Sequence, residues 1–246
     1  MSRYFYDLHV HSCLSPCGDD DMTPANIAGM AALKGLGIVA LTDHNSTKNC
    51  PAFFAACERS GVIPVAGMEL TTSEDVHLVC LFPDLSSAEA FDREIARLRP
   101  PVRNRPEIFG RQLVMDAEDG ILGEEEYLLL NAADLTLDSG KALCESFGGA
   151  AYPAHIDRES NGIIAVLGDF PPDVYYAYEL ADRCSAAEYT ARFPHIAGLR
   201  RIVSSDAHYL WNISEAENFV ELDCESPDEV RRALISYILH GTEAGV

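Results

Sequence analysis

The chain has 246 residues, 48% of them hydrophobic, enough for one large domain with a substantial buried core. Its 39 acids against 18 bases give a formal charge of -21, which disfavours nonspecific contact with nucleic acid backbones and anionic membranes because no basic stretch offsets the repulsion. No apolar run is long enough to cross a bilayer, no basic-then-apolar leader precedes the first strand, and the 8 cysteines are mostly dispersed, so the expected setting is a reducing cytoplasm.

The first strand, residues 4–11, ends in a His-x-His pair. Strand side chains alternate faces, so His9 and His11 point the same way and can grip one ion, with Asp7 on that face to steady an imidazole. The polar loop 12–22 carries the acidic run Asp19-Asp20-Asp21, and Cys13 and Cys17 read as free loop thiols. Thr23-Pro24 predicts the start of a helix running toward Gly35, and the apolar strand 37–42 leads directly into Asp43-His44-Asn45. A helix over 52–60, strands over 62–69 and 76–82, and a helix opened by a capping box at Ser86 to Glu89 follow. Over 99–123, clustered prolines and arginines followed by acids blur the pattern and read as a long connection or insertion, of the kind that forms lids. Helices are expected over 127–137 and 140–147, then strands over 149–155 and 174–180, and a helix over 186–193. The strand 201–205 runs into Asp206-Ala207-His208, a short strand covers 219–222, and Ser226-Pro227-Asp228-Glu229 caps a last helix toward His240. Strands alternating with helices imply an α/β fold with a mostly parallel sheet covered on both faces. About seven such strands, several ending in polar residues, predict a TIM-like (β/α)7 barrel in one domain, 1–246, with its site at the C-terminal mouth of the strands.

The polar strand ends carry the chemistry. His9 and His11, Asp43-His44, Glu69, and Asp206 with His208 close four strands, His155 closes a fifth, and His77 lies near the start of a sixth. Adjacent residues of a strand face opposite ways, so of Asp43-His44 only one faces the centre: His44 is taken as ligand and Asp43 as its support from behind. A lone histidine is more often structural, and His195 and His240, away from acids at strand ends, read that way. Six histidines associated with strand ends, five of them one or two places from an aspartate, point instead to bound metal. A carboxylate and imidazole shell without cysteine suits zinc, manganese or iron.

Together, His9-x-His11, Thr42-Asp43-His44, Gly67-x-Glu69, His77, His155 and Asp206-x-His208 resemble the ordered motifs of the PHP (polymerase and histidinol phosphatase) family, from the first strand to about residue 208. The resemblance implies a distorted barrel, commonly of seven strands, holding two or three divalent metal ions that hydrolyse phosphoesters. It implies that His9, His11, Glu69 and Asp206 hold one ion and that Glu69 bridges to a second held by His77 and His155. It gives the third ion His44, His208 and one residue of the loop after the first strand; with no histidine there, an acid must serve, Asp19 or a neighbour, or else the site holds two ions.

The expected function is that of a metal-dependent phosphoesterase, most simply a phosphomonoesterase using a metal-activated water on a small phosphorylated metabolite or nucleotide. Divalent ions outweighing their carboxylates would attract phosphate locally while the acidic surface repels polyanions such as nucleic acid polymers. Arg158 is the candidate phosphate fork, or else a surface arginine paired with Glu159; Arg103, Arg105 and Arg111 could grip from a lid, and Asn45, Ser46 and Lys48 follow His44 on another loop. The rival readings are a metal-dependent C–N hydrolase of the amidohydrolase type, which would favour a lysine bridging two metals where Lys34, Lys48 and Lys141 are poorly placed, and a noncatalytic metal-binding scaffold.

Overall fold

The computed structural model describes residues 1–240, Arg183 by its main chain alone, so the last six residues of the one-domain reading lie outside it. Strands β1 (Ser2–Val10), β2 (Ile38–Leu41) and β3 (Ile63–Thr71) run parallel, returned by helices α1 (Pro24–Leu33) and α2 (Cys50–Ser60). The start of α1 follows the sequence: the Thr23 hydroxyl accepts from the Asn26 N–H and proline fills the first turn. Helix α2 stops at Gly61, whose φ of 75° is the left-handed geometry that glycine adopts without strain.

The α/β fold is as expected, and the distortion of the TIM-like barrel enters at the next connection. Chain 72–76 turns tightly, with the Thr72 N–H on the Val76 carbonyl, and delivers β4 (His77–Phe82) antiparallel to β3. Five residues cannot hold the crossover a parallel neighbour needs, so the uniform (β/α)7 repeat is broken here. That reversal also explains how a histidine at the start of a strand reaches the mouth where the other strands end.

Helix α3 (Leu85–Leu98) begins two residues before the expected box, because the Asp84 carboxylate takes the Ser87 N–H at 2.9 Å. The expected irregular stretch contains α4 (Pro106–Phe109) and a hairpin of β5 (Leu113–Met115) and β6 (Ile121–Glu124). It lies over the loop after β1, with the Leu113 N–H on the Cys13 carbonyl. No helix forms over 127–136: the buried Leu128 and Leu129 belong to an extended connection tied down by the Gln112 side chain, and α5 (Leu137–Ser146) starts only behind the Thr136 cap.

Beyond it, β7 (Ala150–Pro153) runs antiparallel to β4. After α6 (Ile163–Leu167), β8 (Ala177–Leu180) pairs in parallel with β9 (Arg200–Val203) across α7 (Ala186–Arg192). Finally β10 (Phe219–Leu222) joins β1 antiparallel, and α8 (Pro227–His240) opens on the Ser226–Glu229 exchange that the sequence predicts. The ladder β10-β1-β2-β3-β4-β7 is a curled half-barrel. Isolated bonds continue its curl, from the Ile156 N–H to the Glu179 carbonyl and from the His11 N–H to the Ala207 carbonyl. Inside the curl pack Leu8, Ile38, Val65, Leu81 and Tyr152 with Leu234 of α8; outside, Leu41, Met68 and Cys80 pack under Ile27, Phe53 and Phe91 of the helices. No helix among the described residues is long and apolar enough to cross a membrane.

Close approach of three strands is set by one glycine. A Cβ on Gly67 would sit 2.8 Å from Leu81 Cδ2 and 2.8 Å from Thr42 Cγ2, both on neighbouring strands or their ends. Gly67→Ala is therefore expected to destabilise the fold by about 1–3 kcal/mol through overpacking, measured by denaturant unfolding.

Candidate metal centre

Strand register places Glu69 at the centre. It stands two residues beyond Gly67 on β3, opposite Val79 of β4, and its side chain is buried. Four histidines reach it from three strands or their ends: Nε2 of His9 lies 3.3 Å from Oε1, Nε2 of His11 3.3 Å from Oε2, Nδ1 of His44 2.9 Å from Oε2 and Nδ1 of His77 2.7 Å from Oε1. His155, after β7, brings its Nε2 within 3.1 Å of Oε1. Asp206, after β9, sets Oδ1 3.3 Å from His9 Nε2 and 3.0 Å from His11 Nε2. His208 stacks on His11 with ring centroids 4.2 Å apart.

Three overlapping groups could each hold an ion: His9, His11, Glu69 and Asp206; His44, Glu69 and His77; and His11, His44 and His208. Their chemistry fits divalent metal. With ligand bonds of about 2.1 Å, the edge of an octahedron is about 3.0 Å and that of a tetrahedron about 3.4 Å, the spacing seen in the first group. Glu69 Oε2, Asp206 Oδ1 and His44 Nδ1 are buried without a hydrogen-bond partner, although His44 Nδ1 and Glu69 Oε2 nearly touch. Lone pairs so arranged address a third body rather than each other.

The tautomers agree. His9 Nδ1 donates to the buried Glu179 carboxylate at 2.9 Å, and His11 Nδ1 donates to the Ser15 hydroxyl at 2.9 Å, an assignment that follows from the hydrogen-bond network. Both Nε2 lone pairs then face one another at 3.1 Å, which is repulsive unless a proton or a cation lies between them. Ser15 donates onward to Asp43 Oδ1 at 2.7 Å and accepts the His44 N–H, so Asp43 supports the site through a hydroxyl that touches both the His11 ring and the His44 main chain.

Burial by itself would strip protons from these imidazoles, yet the acids outweigh it at three of them. Against desolvation, Glu179, Asp206 and Glu69 hold the His9 pKa well above its ordinary value, and carboxylates hold His11 and His44 at about 9. At His77 and His208 burial wins, helped by neighbouring histidines, and His208 falls to about 3. Glu69 and Asp206 are pulled well below the carboxylate range in spite of burial, chiefly by the histidines.

Several expected residues have other work. A register shift between Asp7 and Val10 turns Asp7 away from the histidine face; its carboxylate takes the Ser205 hydroxyl and N–H and the Ser214 N–H instead of an imidazole. Asp19 abuts His208 through its main chain, its N–H on the His208 carbonyl, while its carboxylate accepts the Asp21 N–H; it is outside the three groups. Arg158 pairs with Asp206 Oδ2 at 2.5 Å, not with Glu159, and keeps nearly half its side chain exposed. Arg103 and Arg111 are paired with Glu126 and Glu124, and Arg105 lies over Phe109. Asn45 is buried in bonds to the 129–131 main chain, and Lys34, Lys48 and Lys141 are engaged by Glu215, Glu125 and Glu145. Cys13 and Cys17 are free thiols. His195 bonds the Phe170 carbonyl and His240 that of Ser236, as structural histidines do.

Sequence reading missed Glu179 and Ser15. The signal for Glu179 was available: an acid inside the apolar strand Ala177–Leu180 has no bland reason to be buried. Glu179→Gln is expected to weaken metal binding about tenfold, by loosening His9, in chelator competition. Metal uptake must also displace protons from His11 and His44, whose pKa of about 9 leaves them charged at neutral pH. Affinity is thus expected to rise with pH up to about 9, with proton release visible as a buffer-dependent heat in calorimetry.

Parts of the chain and its fold are similar to known proteins. The chain is 36% identical over 77 residues to an error-prone DNA polymerase of Symbiobacterium thermophilum, a match covering 31% of the chain and 7% of the polymerase. It is 36% identical over 73 residues to a 3',5'-nucleoside bisphosphate phosphatase of Chromobacterium violaceum, covering 30% of the chain and 25% of the phosphatase. The matched stretches thus span only a minor part of these relatives' lengths. In fold it is similar to a lesion-specific endonuclease from Pyrococcus furiosus, with a TM-score of 0.64 at 20% identity over 96% of the chain and 56% of the endonuclease. The sequence model of the PHP domain matches residues 7–137, more than half of the chain, and the protein belongs to the PHP domain family.

Proposed function

We propose that the protein is a metal-dependent phosphoesterase, acting as a phosphomonoesterase on a small phosphorylated metabolite or nucleotide. The observation that carries this reading is the shared Glu69 carboxylate: one oxygen faces His9, His77 and His155, the other His11 and His44, the arrangement of a bridge between adjacent ions. His9, His11, Glu69 and Asp206 would hold one ion, Glu69, His77 and His155 with His44 nearby a second, and His44 and His208 a third with Asp19 turned inward. Bound there, two or three ions of zinc, manganese or iron would supply an acidified water and positive charge for the phosphate oxygens.

The chain's own residues do the rest. Glu179 and the Ser15–Asp43 pair engage the Nδ1 atoms of His9 and His11, so that the Nε2 atoms are the ones aimed inward and offered to an ion once their protons leave. Arg158 holds Asp206 with one guanidinium arm and has exposed donors left to fork a phosphate at the same place. We read these groups as gathered at one end of a distorted barrel that forms a single domain, with residues 99–123 as a lid-like insertion over the mouth. The acidic surface favours small substrates over nucleic acid polymers, although the fold is shared with an endonuclease. The same balance of charge disfavours an anionic membrane surface, and a cytoplasmic location fits the free thiols.

The amidohydrolase alternative is weaker because Lys34, Lys48 and Lys141 are all ion-paired away from Glu69. The decisive experiment strips the metal, reloads zinc, manganese or iron singly, and screens phosphorylated metabolites for phosphate release. Restored release with one metal is expected; amide hydrolysis without any phosphate release would overturn the reading. Asp206→Asn should lower kcat at least 100-fold, since one charge change removes an ion ligand and the anchor of Arg158.

A further inference from the structure

Beside the metal centre lies an open cleft of about 550 Å³, lined among others by Asp206, Arg158, Ser205 and Trp211. Trp211 is the one tryptophan in the chain. It is 70% exposed, and it stacks on Tyr209 at 4.9 Å between ring centroids with 22° between the planes. One face of the indole is therefore backed by a second ring, while the rest of it is open to solvent.

Burial does not explain this pair, since leaving two large rings in water gains nothing from the hydrophobic effect. Nor is the loop slack. The Lys34 ammonium donates to the carbonyls of Trp211 and Ile213, and the buried Asp7 carboxylate binds Ser205 and Ser214, on both sides of the aromatic pair. A rigid, backed, exposed indole five residues from a metal-ligand candidate is a surface for a flat partner bound at the same time as a phosphate.

We propose that Trp211, backed by Tyr209, is a stacking platform for the base of a nucleoside phosphate whose phosphoryl group sits at Arg158 and the metal centre; this rests on the phosphoesterase reading. Base stacking on an aromatic side chain needs no particular hydrogen-bond edge, so the platform would accept several bases and select against phosphates that have none. The acids of the rim, Asp182, Glu215 and Glu217, leave room for a single nucleotide but repel a continuing phosphate backbone.

The lone tryptophan makes the test direct. Adenosine 5'-monophosphate should quench the intrinsic fluorescence of the metal-loaded protein, and ribose 5-phosphate should not. Trp211→Ala should lower the ratio of kcat/KM for the nucleotide over ribose 5-phosphate by about 5- to 100-fold, mainly through KM, and Trp211→Phe should restore most of it. Phosphate release from both esters with equal efficiency and no nucleotide-specific quenching would overturn the platform and leave the phosphoesterase reading standing. Nucleotide-specific quenching without phosphate release from any ester would keep the platform and overturn the phosphoesterase reading.

Discussion

The molecule depends on a buried carboxylate. Glu69 sits where water cannot reach it, and an isolated carboxylate there would cost far more than the few kcal/mol that separate folded from unfolded chains. Its surroundings are built to repay that cost. Histidines from the ends of β1, β2 and β7 and the start of β4 converge on its two oxygens, and Asp206 approaches from the end of β9. Without a cation, protons must hold these opposed lone pairs together; with one, the same atoms become a ligand cage.

Around that centre the groups that touch no ion fix geometry. Glu179 and Ser15 each occupy a ring nitrogen, which leaves the opposite nitrogen free and pointed inward. The main chain is bent to the same end: Asn45, His155 and Asp206 have φ values of 48°, 26° and 51°, left-handed conformations that cost non-glycine residues roughly 1–3 kcal/mol each. Each lies just past the end of a strand, where the chain must turn to present a side chain to the centre. Two of the seven non-glycine positions with positive φ among the described residues, His155 and Asp206, are candidate ligands.

Charge organises the molecule at a larger scale. A chain carrying -21 should repel phosphates over most of its surface. Beside the candidate metal centre, Arg158 and Trp211 share one cleft with Asp206, which places a positive charge and an open aromatic ring next to the clustered histidines. The chain belongs to the PHP domain family, and its clustered histidines and acids could hold metal.

Much of the centre was legible in the sequence because strand-end histidines beside acids are rare without a purpose. His9, His11, His44, Glu69, His77, His155, Asp206 and His208 all gather within one site. Local pattern also set most strands and the caps at Thr23 and Ser226, since those depend on neighbours in the chain. Tertiary structure alone decided the rest. The tight turn before β4 reversed one strand, a bulge in β1 sent Asp7 to another loop, and buried leucines over 127–136 became a tied connection instead of a helix face. Glu179 could be assigned its partner only once distant strands met, because a hydrogen bond between residues 170 positions apart leaves no periodic trace in the sequence.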